Sequence, residues 1–196
     1  MSKTWNIILA SASPRRKELL SALDLTFCVD ARSHFEENIP EGMACEQIPI
    51  YLSEGKSMGF HRELEENELL ITADTLVFSE GKALGKPHDK EEAIAMLAAL
   101  SGKTHQVTTG VCLRSQNKMI SFSDTTQVHF TDLSEAEIAY YVERYNPIDK
   151  AGAYGIQEWI GMATIDTIEG SYFNVMGLPT ALLWHKLKSE FGIQLP

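Results

Sequence analysis

Residues 7–20 read Ile7-Ile8-Leu9-Ala10-Ser11-Ala12-Ser13-Pro14-Arg15-Arg16-Lys17-Glu18-Leu19-Leu20. An apolar run stops at two hydroxyls, Ser11 and Ser13, and Pro14 follows. Proline suits the first helical position, where its missing N–H is not needed, and serine is a good N-cap before it. The stretch therefore predicts a strand over 6–10, a tight turn, and a helix over 14–23 with Leu19, Leu20 and Leu23 on one face. Two guanidinium groups, Arg15 and Arg16, fall in the first helical turn. Cations there oppose the helix dipole, whereas backbone N–H groups and arginine forks together make an anion site. Phosphate is the obvious anion. The plainer alternative is a solvated helix start whose arginines touch nearby carboxylates.

Outward from this stretch, strands and helices alternate. Residues 32–45 are polar, contain Pro40 and Gly42, and read as a loop. Residues 47–65 read as a helix starting near Pro49, and 69–78 as a buried strand. A turn at Glu80-Gly81 leads to Gly85-Lys86-Pro87. Asp89, with Glu92 three positions on, starts a helix that ends at Ser101-Gly102. Residues 105–113 and 118–130 are β-rich neighbours, and Ser134 with Glu137 opens a helix through about Tyr145. Residues 151–178 are glycine-rich with short strand-like pieces, and a last helix runs from Pro179 to Gly192. The fold class is mixed α/β, an elongated mixed sheet flanked by helices, read as a single domain over 1–196. The alternation is too irregular for a Rossmann fold, and neither a Gly-x-Gly-x-x-Gly turn nor a Walker-type loop is present.

The charge balance narrows the partners. A formal net charge of −10 argues against bulk nucleic acid or an anionic membrane surface. No apolar run approaches the roughly 20 residues that a membrane helix needs. Three widely spaced cysteines, Cys28, Cys45 and Cys112, form no Cys-x-x-Cys pair, so reduced thiols in the cytoplasm are the simplest reading. The same acidity requires that a polyphosphate be met by locally converging cations, with a divalent metal offsetting repulsion.

Asp74 stands inside a run that is apolar on both sides. An ionised carboxylate there needs a metal, water or a cation, or else serves a structural hydrogen bond to Thr72 or Thr75. Lys86 lies between Gly85 and Pro87, where a constrained backbone aims its side chain. In the segment 149–157, Asp-Lys-Ala-Gly-Ala-Tyr-Gly-Ile-Gln, the glycines permit close approach and the Gln157 amide offers a donor and an acceptor for a base edge. Otherwise the segment is a glycine-rich bend. The six histidines show no metal-ligand spacing and read as structural or surface residues. Hard oxygen donors favour Mg²⁺ or Mn²⁺ over zinc.

Six segments in register, Ser-Ala-Ser-Pro-Arg-Arg at 11–16, Ala-Asp-Thr at 73–75, Gly-Lys-Pro at 85–87, Leu-Ser-Gly-Lys-Thr-His at 100–105, Lys-Ala-Gly-Ala-Tyr-Gly-Ile-Gln at 150–157 and Gly-Ser-Tyr-Phe-Asn-Val-Met-Gly-Leu-Pro at 170–179, resemble the Maf family of nucleoside triphosphate pyrophosphatases. The resemblance runs from about residue 6 to residue 190. It implies a cytoplasmic, metal-dependent hydrolase, often a homodimer, that cleaves nucleoside triphosphates between the α- and β-phosphates and so cleans nucleotide pools. The fold implied is shared with inosine triphosphate pyrophosphatases.

Carried over by position, Asp74 matches the family's proton acceptor, and Glu37, or its neighbour Glu36 in its place, matches a pocket position; the metal is expected at Asp74 with Glu37 or Glu36 nearby. Arg15, Thr75 and Gln157 match positions tied to substrate choice. Ser11, Arg16, Lys56 and Lys86 match other pocket positions. Arg, Thr and Gln at the three selective positions resemble the branch acting on dTTP and UTP, where modified pyrimidine triphosphates also fit; the 7-methyl-GTP branch has Trp, Gln and Glu there. A nucleotide-binding regulator of cell division or septum formation is the reading outside enzymes. One departure stands out: Gly55 precedes Lys56 in a predicted helix, where relatives usually have alanine near the lysine. Glycine there costs roughly 1 kcal/mol against alanine.

Overall fold

The computed structural model describes residues 4–194. The strands are β1 (Asn6–Leu9), β2 (Phe27–Val29), β3 (Glu68–Ser79), β4 (Lys82–Leu84), β5 (Thr104–Arg114), β6 (Met119–Phe130) and β7 (Ile165–Glu169). The helices are α1 (Pro14–Ser21), α2 (Ile48–Met58), α3 (Lys90–Leu100), α4 (Glu135–Tyr145), α5 (Trp159–Thr164), α6 (Tyr172–Met176) and α7 (Thr180–Phe191). Among the described residues the sheet has the order β2-β1-β3-β5-β6-β7, with β4 paired to β3. The fold is mixed α/β, as the alternation predicts. Two compact units divide the chain, one of Met1–Asp74, Thr109–Asp124 and Gly177–Pro196, the other of Thr75–Thr108 and Thr125–Met176.

In the first unit, β1 pairs parallel with β2 on one side and β3 on the other. Parallel strands are joined by crossovers that cover both faces of the sheet, which is why Ile7, Ile8 and Leu9 form an unbroken apolar run, all buried. The turn behaves as its residues predict. Ser13 caps α1 by accepting from the Arg16 N–H at 3.5 Å, Pro14 opens the helix, and Leu19 and Leu20 are buried. The helix ends two residues earlier than expected, and Asp24 follows in a left-handed conformation.

Helix α2 corrects the sequence reading more strongly, because it stops at Met58 rather than continuing to 65. The Gly59 N–H still bonds back to the Gly55 carbonyl, but the next residues turn to the 32–34 segment. The His61 N–H donates to the Arg32 carbonyl, and Phe60 forms a bridge with Ser33. Phe60 and Leu64 then pack on Ile8 and Leu70, so burial against the strands overrides helical continuation. Pro49 starts α2 against β5: a Cβ on Gly110 would overlap the Pro49 carbonyl. Helix α7 ends at Gly192, whose φ of 67° makes a left-handed C-cap.

In the second unit, Glu80 (φ 52°) and Gly81 (φ 75°) form the two-residue turn into β4, with the left-handed pair that a tight hairpin requires. Asp89 caps α3 by accepting from the Glu92 N–H at 2.8 Å, and Ser134 with Glu137 makes a full capping box on α4. Each cap of this kind contributes about 1 kcal/mol. The 151–178 segment departs from expectation. Only β7 is a strand there, while Ala151–Ala153, α5 and α6 are helical turns. The cause is a tight local wrap: the Thr164 hydroxyl donates to the Ile160 carbonyl, and Gly161 lies so close to the Ile156 carbonyl that no Cβ fits. His105, Phe130 and Tyr154 form a buried aromatic cluster, with centroids 5.0–5.4 Å apart.

Candidate active site

Because β2 and β3 lie on opposite sides of β1, strand order reverses at β1. In open α/β sheets ligands bind beyond the carboxyl ends of strands at such a point. Leu9, the last residue of β1, pairs with Ile71. Ser11 lies just beyond the end of β1, and β3 runs on through Thr72 to Asp74 at the same end. Ser11 is buried, accepts from the Ser13 N–H at 3.3 Å, and meets an Arg16 N–H at 3.4 Å. The Arg16 Nε donates to the Gly177 carbonyl at 2.8 Å.

Helix α2 meets β3 in register. Thr72 donates its hydroxyl proton to the Ser53 carbonyl at 2.7 Å, and Asp74, two residues on and on the same strand face, pairs with Lys56, three residues on in the helix. Thr72 is thus committed to α2 and not to Asp74. Asp74 is 8% exposed, so its charge needs this ammonium. The Glu37 carboxylate lies 2.9 Å from the same Nζ. Of the two adjacent acids, Glu37 is the one that reaches Lys56; Glu36 is 3.5 Å from the Asn38 amide.

Burial pulls the Arg16 guanidinium below its ordinary pKa, while the charge of Asp74 pushes it up, that of Arg15 pulls it down, and that of Glu37 pushes it up. All three charges are therefore felt at Arg16. In the first unit Ser11 meets Arg16, Glu37 and Asp74 meet Lys56, and Asp74, Arg15 and Glu37 are near enough to act on the charge of Arg16.

Thr75, Lys86 and Gln157 belong to the second unit. Thr75 follows Asp74 on β3 and is half-buried. Lys86 is exposed, and the Gly152 N–H donates to the Gly85 carbonyl next to it at 3.0 Å, tying the lysine turn to the 150–157 segment. Gly152 has φ 67°, and a Cβ there would meet Val77 at 2.9 Å. The neighbouring Glu158 carboxylate accepts from the Tyr141 hydroxyl and lies 3.3 Å from the Lys150 Nζ, while the Gly155 N–H donates to the Tyr141 oxygen at 3.0 Å. This network fixes the backbone on both sides of Gln157. The Gln157 side-chain oxygen is buried with no hydrogen-bond partner among the described residues, an acceptor left for something else.

Among the described residues no group of three or more His, Cys, Asp or Glu side chains is gathered to hold a metal. Two carboxylates, Asp74 and Glu37, converge on one cation instead. That donor set fits a hard divalent cation, which can be bound through one or two carboxylates with its other positions filled by oxygen ligands from elsewhere. Two neighbours of the cluster escape a reading of the sequence. The Gly177 carbonyl is one, since a main-chain acceptor leaves no side-chain signature. Phe35 is the other: its ring lies where a Cβ on Gly55 would be, and the signal for it was that unexpected glycine inside a helix.

An α/β protein with a charged cluster beyond its central parallel strands belongs to the broad class whose ligands sit at a strand-order reversal. Within that class the family is specific. The Maf-like protein family matches residues 6–190, and the chain belongs to it. A curated dTTP/UTP pyrophosphatase of Porphyromonas gingivalis is 50% identical over 192 residues, covering 97% of this chain and 96% of its own. The dTTP/UTP pyrophosphatase of Bacteroides fragilis is 50% identical over 184 residues, 94% of this chain and 95% of its own. That of Christiangramia forsetii is 48% identical over 186 residues, 95% and 94% respectively. No helix among the described residues is long and apolar enough to cross a membrane.

Proposed function

We propose that this protein hydrolyses dTTP and UTP to the monophosphate and pyrophosphate. The observation that carries the reading is the buried Asp74 carboxylate paired with Lys56 beside Ser11 and Arg16, in a chain half identical, over nearly its whole length, to proteins curated for that activity.

Asp74 takes a proton from water as its oxygen attacks the α-phosphorus. The bond from that phosphorus to the bridging oxygen breaks, and pyrophosphate leaves. Lys56 and Arg16 meet charge growing on the phosphoryl oxygens, and Ser11 donates to the phosphate chain. Asp74 and Glu37 are the carboxylates that would hold a Mg²⁺ or Mn²⁺ ion, which would neutralise phosphate charge when bound. The family resemblance supports a phosphate role for Lys86 and a role in base choice for Arg15, Thr75 and Gln157. The Gln157 amide suits a pyrimidine, whose edge carries both an N–H and carbonyl oxygens. The same resemblance supports a cytoplasmic homodimer.

Pyrophosphate release is measured with dTTP, UTP, 7-methyl-GTP and unmodified purine triphosphates in the presence of Mg²⁺. The pyrimidines are expected to show the highest kcat/KM. A purine preference would overturn the substrate assignment, and nucleotide binding without pyrophosphate release would point to a regulator instead. Asp74→Asn is expected to fold normally and to lose turnover; near-normal release from it would overturn the mechanism.

A further inference from the structure

Segment 33–38 lies along α2 in a way that only glycines allow. At one end the His34 N–H donates to the Gly59 carbonyl at 2.7 Å, and the Ser33 hydroxyl donates to the same carbonyl at 3.1 Å. At the other end Tyr51 donates its hydroxyl proton to the Asn38 carbonyl at 3.1 Å. Between them the Phe35 ring sits where a side chain on Gly55 would be: a Cβ there would fall among the ring carbons. A Cβ on Gly59, one turn on, would come within 2.7 Å of the Phe35 Cβ and backbone nitrogen. The ring also meets Tyr51 edge-on, with centroids 6.2 Å apart. Two residues past this anchor, Glu37 reaches the Lys56 ammonium at 2.9 Å. Glu37 is more than half exposed and sits in an otherwise exposed loop, so a fixed position for its carboxylate needs a support outside the residue itself.

We infer that Phe35, seated in the notch of Gly55 and Gly59 on α2, is a positioning residue that holds Glu37 against Lys56. Alanine is the better helix former, but a methyl group at 55 would fall among the ring carbons and expel the ring. The kinetic consequence rests on the reading of Glu37 as a carboxylate of the substrate site; the positional one does not.

The test uses Phe35→Ala, Gly55→Ala and Glu37→Gln in the full chain. Crystal structures of the first two, grown without metal or nucleotide, are expected to show the Glu37 carboxylate withdrawn from Lys56 while the Lys56–Asp74 pair persists. A Glu37 still at about 3 Å from Lys56 in both would overturn the inference. Each variant should lose about 10- to 100-fold in kcat. Phe35→Ala combined with Glu37→Gln should be no slower than Glu37→Gln alone, since both remove the same carboxylate. Multiplying losses would mean that Phe35 acts in some other way, against the inference. Gly55→Ala unseats the ring without deleting it and gains helix propensity that offsets the lost seat, so it is the second arm if Phe35→Ala fails to fold. Displacement of the carboxylate together with normal turnover of Glu37→Gln would uphold the positioning and remove Glu37 from the reaction.

Discussion

The Arg16 Nε donates to the Gly177 carbonyl at 2.8 Å and joins residues 161 positions apart in sequence. Gly177 has φ 117°, a conformation that side-chain-bearing residues rarely adopt, so its carbonyl is aimed by a backbone that needs glycine. With Nε occupied, the guanidinium is oriented and one of its terminal N–H groups meets Ser11. Lysine at this position keeps the charge but has neither the fork nor the fixed plane. Arg16→Lys is therefore expected to raise KM and lower kcat/KM for dTTP by about 10- to 100-fold, roughly the worth of one lost charge-assisted bond in a dry site. Steady-state kinetics with a parallel melting curve checks this; an unchanged kcat/KM would remove Arg16 from the phosphate path.

Lys56 is the shared counter-ion of Asp74 and Glu37. Methionine keeps the length and the apolar stem and removes the charge, leaving two carboxylates facing one another with one of them buried. Lys56→Met should lower stability by about 1–3 kcal/mol and abolish turnover. Added Mg²⁺ should raise the melting temperature of the variant more than that of the parent, because the two carboxylates then lack the ammonium charge that competes with the metal for them. An equal shift in both proteins would count against Asp74 and Glu37 as the metal ligands.

The serine and arginine half of this cluster was legible in the sequence because it is local. Ser11, Ser13, Pro14 and the arginines lie within one turn, and cap chemistry makes the strand-to-helix step plain. Asp74 was legible because a charge inside an apolar run has to be explained. The choice of Glu37 over Glu36 was not legible, since it depends on where a loop is pinned by Phe35 on a helix distant in sequence. The end of α2 was missed for a similar reason: nothing local stops a helix after Met58 except a glycine, and the pairing of residues 60 and 61 with 32 and 33 is a tertiary event. The helical turns of 151–178 are not legible, and the segment reads as glycine-rich with short strand-like pieces, because glycine and β-branched residues carry no helical period there. Close approach to a carbonyl, as at Gly161, is invisible in one sequence.

His105 gives the fold a pH dependence of definite sign. Its imidazole is buried against Phe130 and Tyr154, its Nε2 is 2.7 Å from the Tyr154 hydroxyl oxygen, and its Nδ1 has no partner among the described residues. Burial, with a smaller contribution from His129, lowers its pKa from 6.5 to about 4. The unfolded chain therefore binds this proton at a higher pH than the folded one does. Stability is complete above pH 6.5, falls by about 1.4 kcal/mol per pH unit between 6.5 and 4, and levels off below. Urea unfolding at pH 7.5, 6 and 5 measures the slope. His105→Leu should flatten it even if its baseline is lower, and a parallel slope in the variant would assign the effect elsewhere.

Gly110 tests how the helix bearing Lys56 is seated. It lies in the buried β5, and a Cβ there would overlap the Pro49 carbonyl at the start of α2. Its φ is not positive, so alanine fits the backbone, and in open space the substitution would stabilise by about 0.4–1 kcal/mol through the unfolded chain. Here the neighbour is main chain rather than a flexible side chain, and it cannot turn aside. Overpacking of this kind costs about 1–3 kcal/mol, so the net sign is destabilising. Gly110→Ala should lower the urea midpoint with an unchanged m-value. Because the strain is relieved by lifting the first turn of α2, Lys56 moves relative to Asp74, and kcat should fall more than KM rises. A stabilised or kinetically silent Gly110→Ala would mean that α2 is free to slide on β5, and that the Lys56–Asp74 pair is held from its other end, by Thr72 on Ser53.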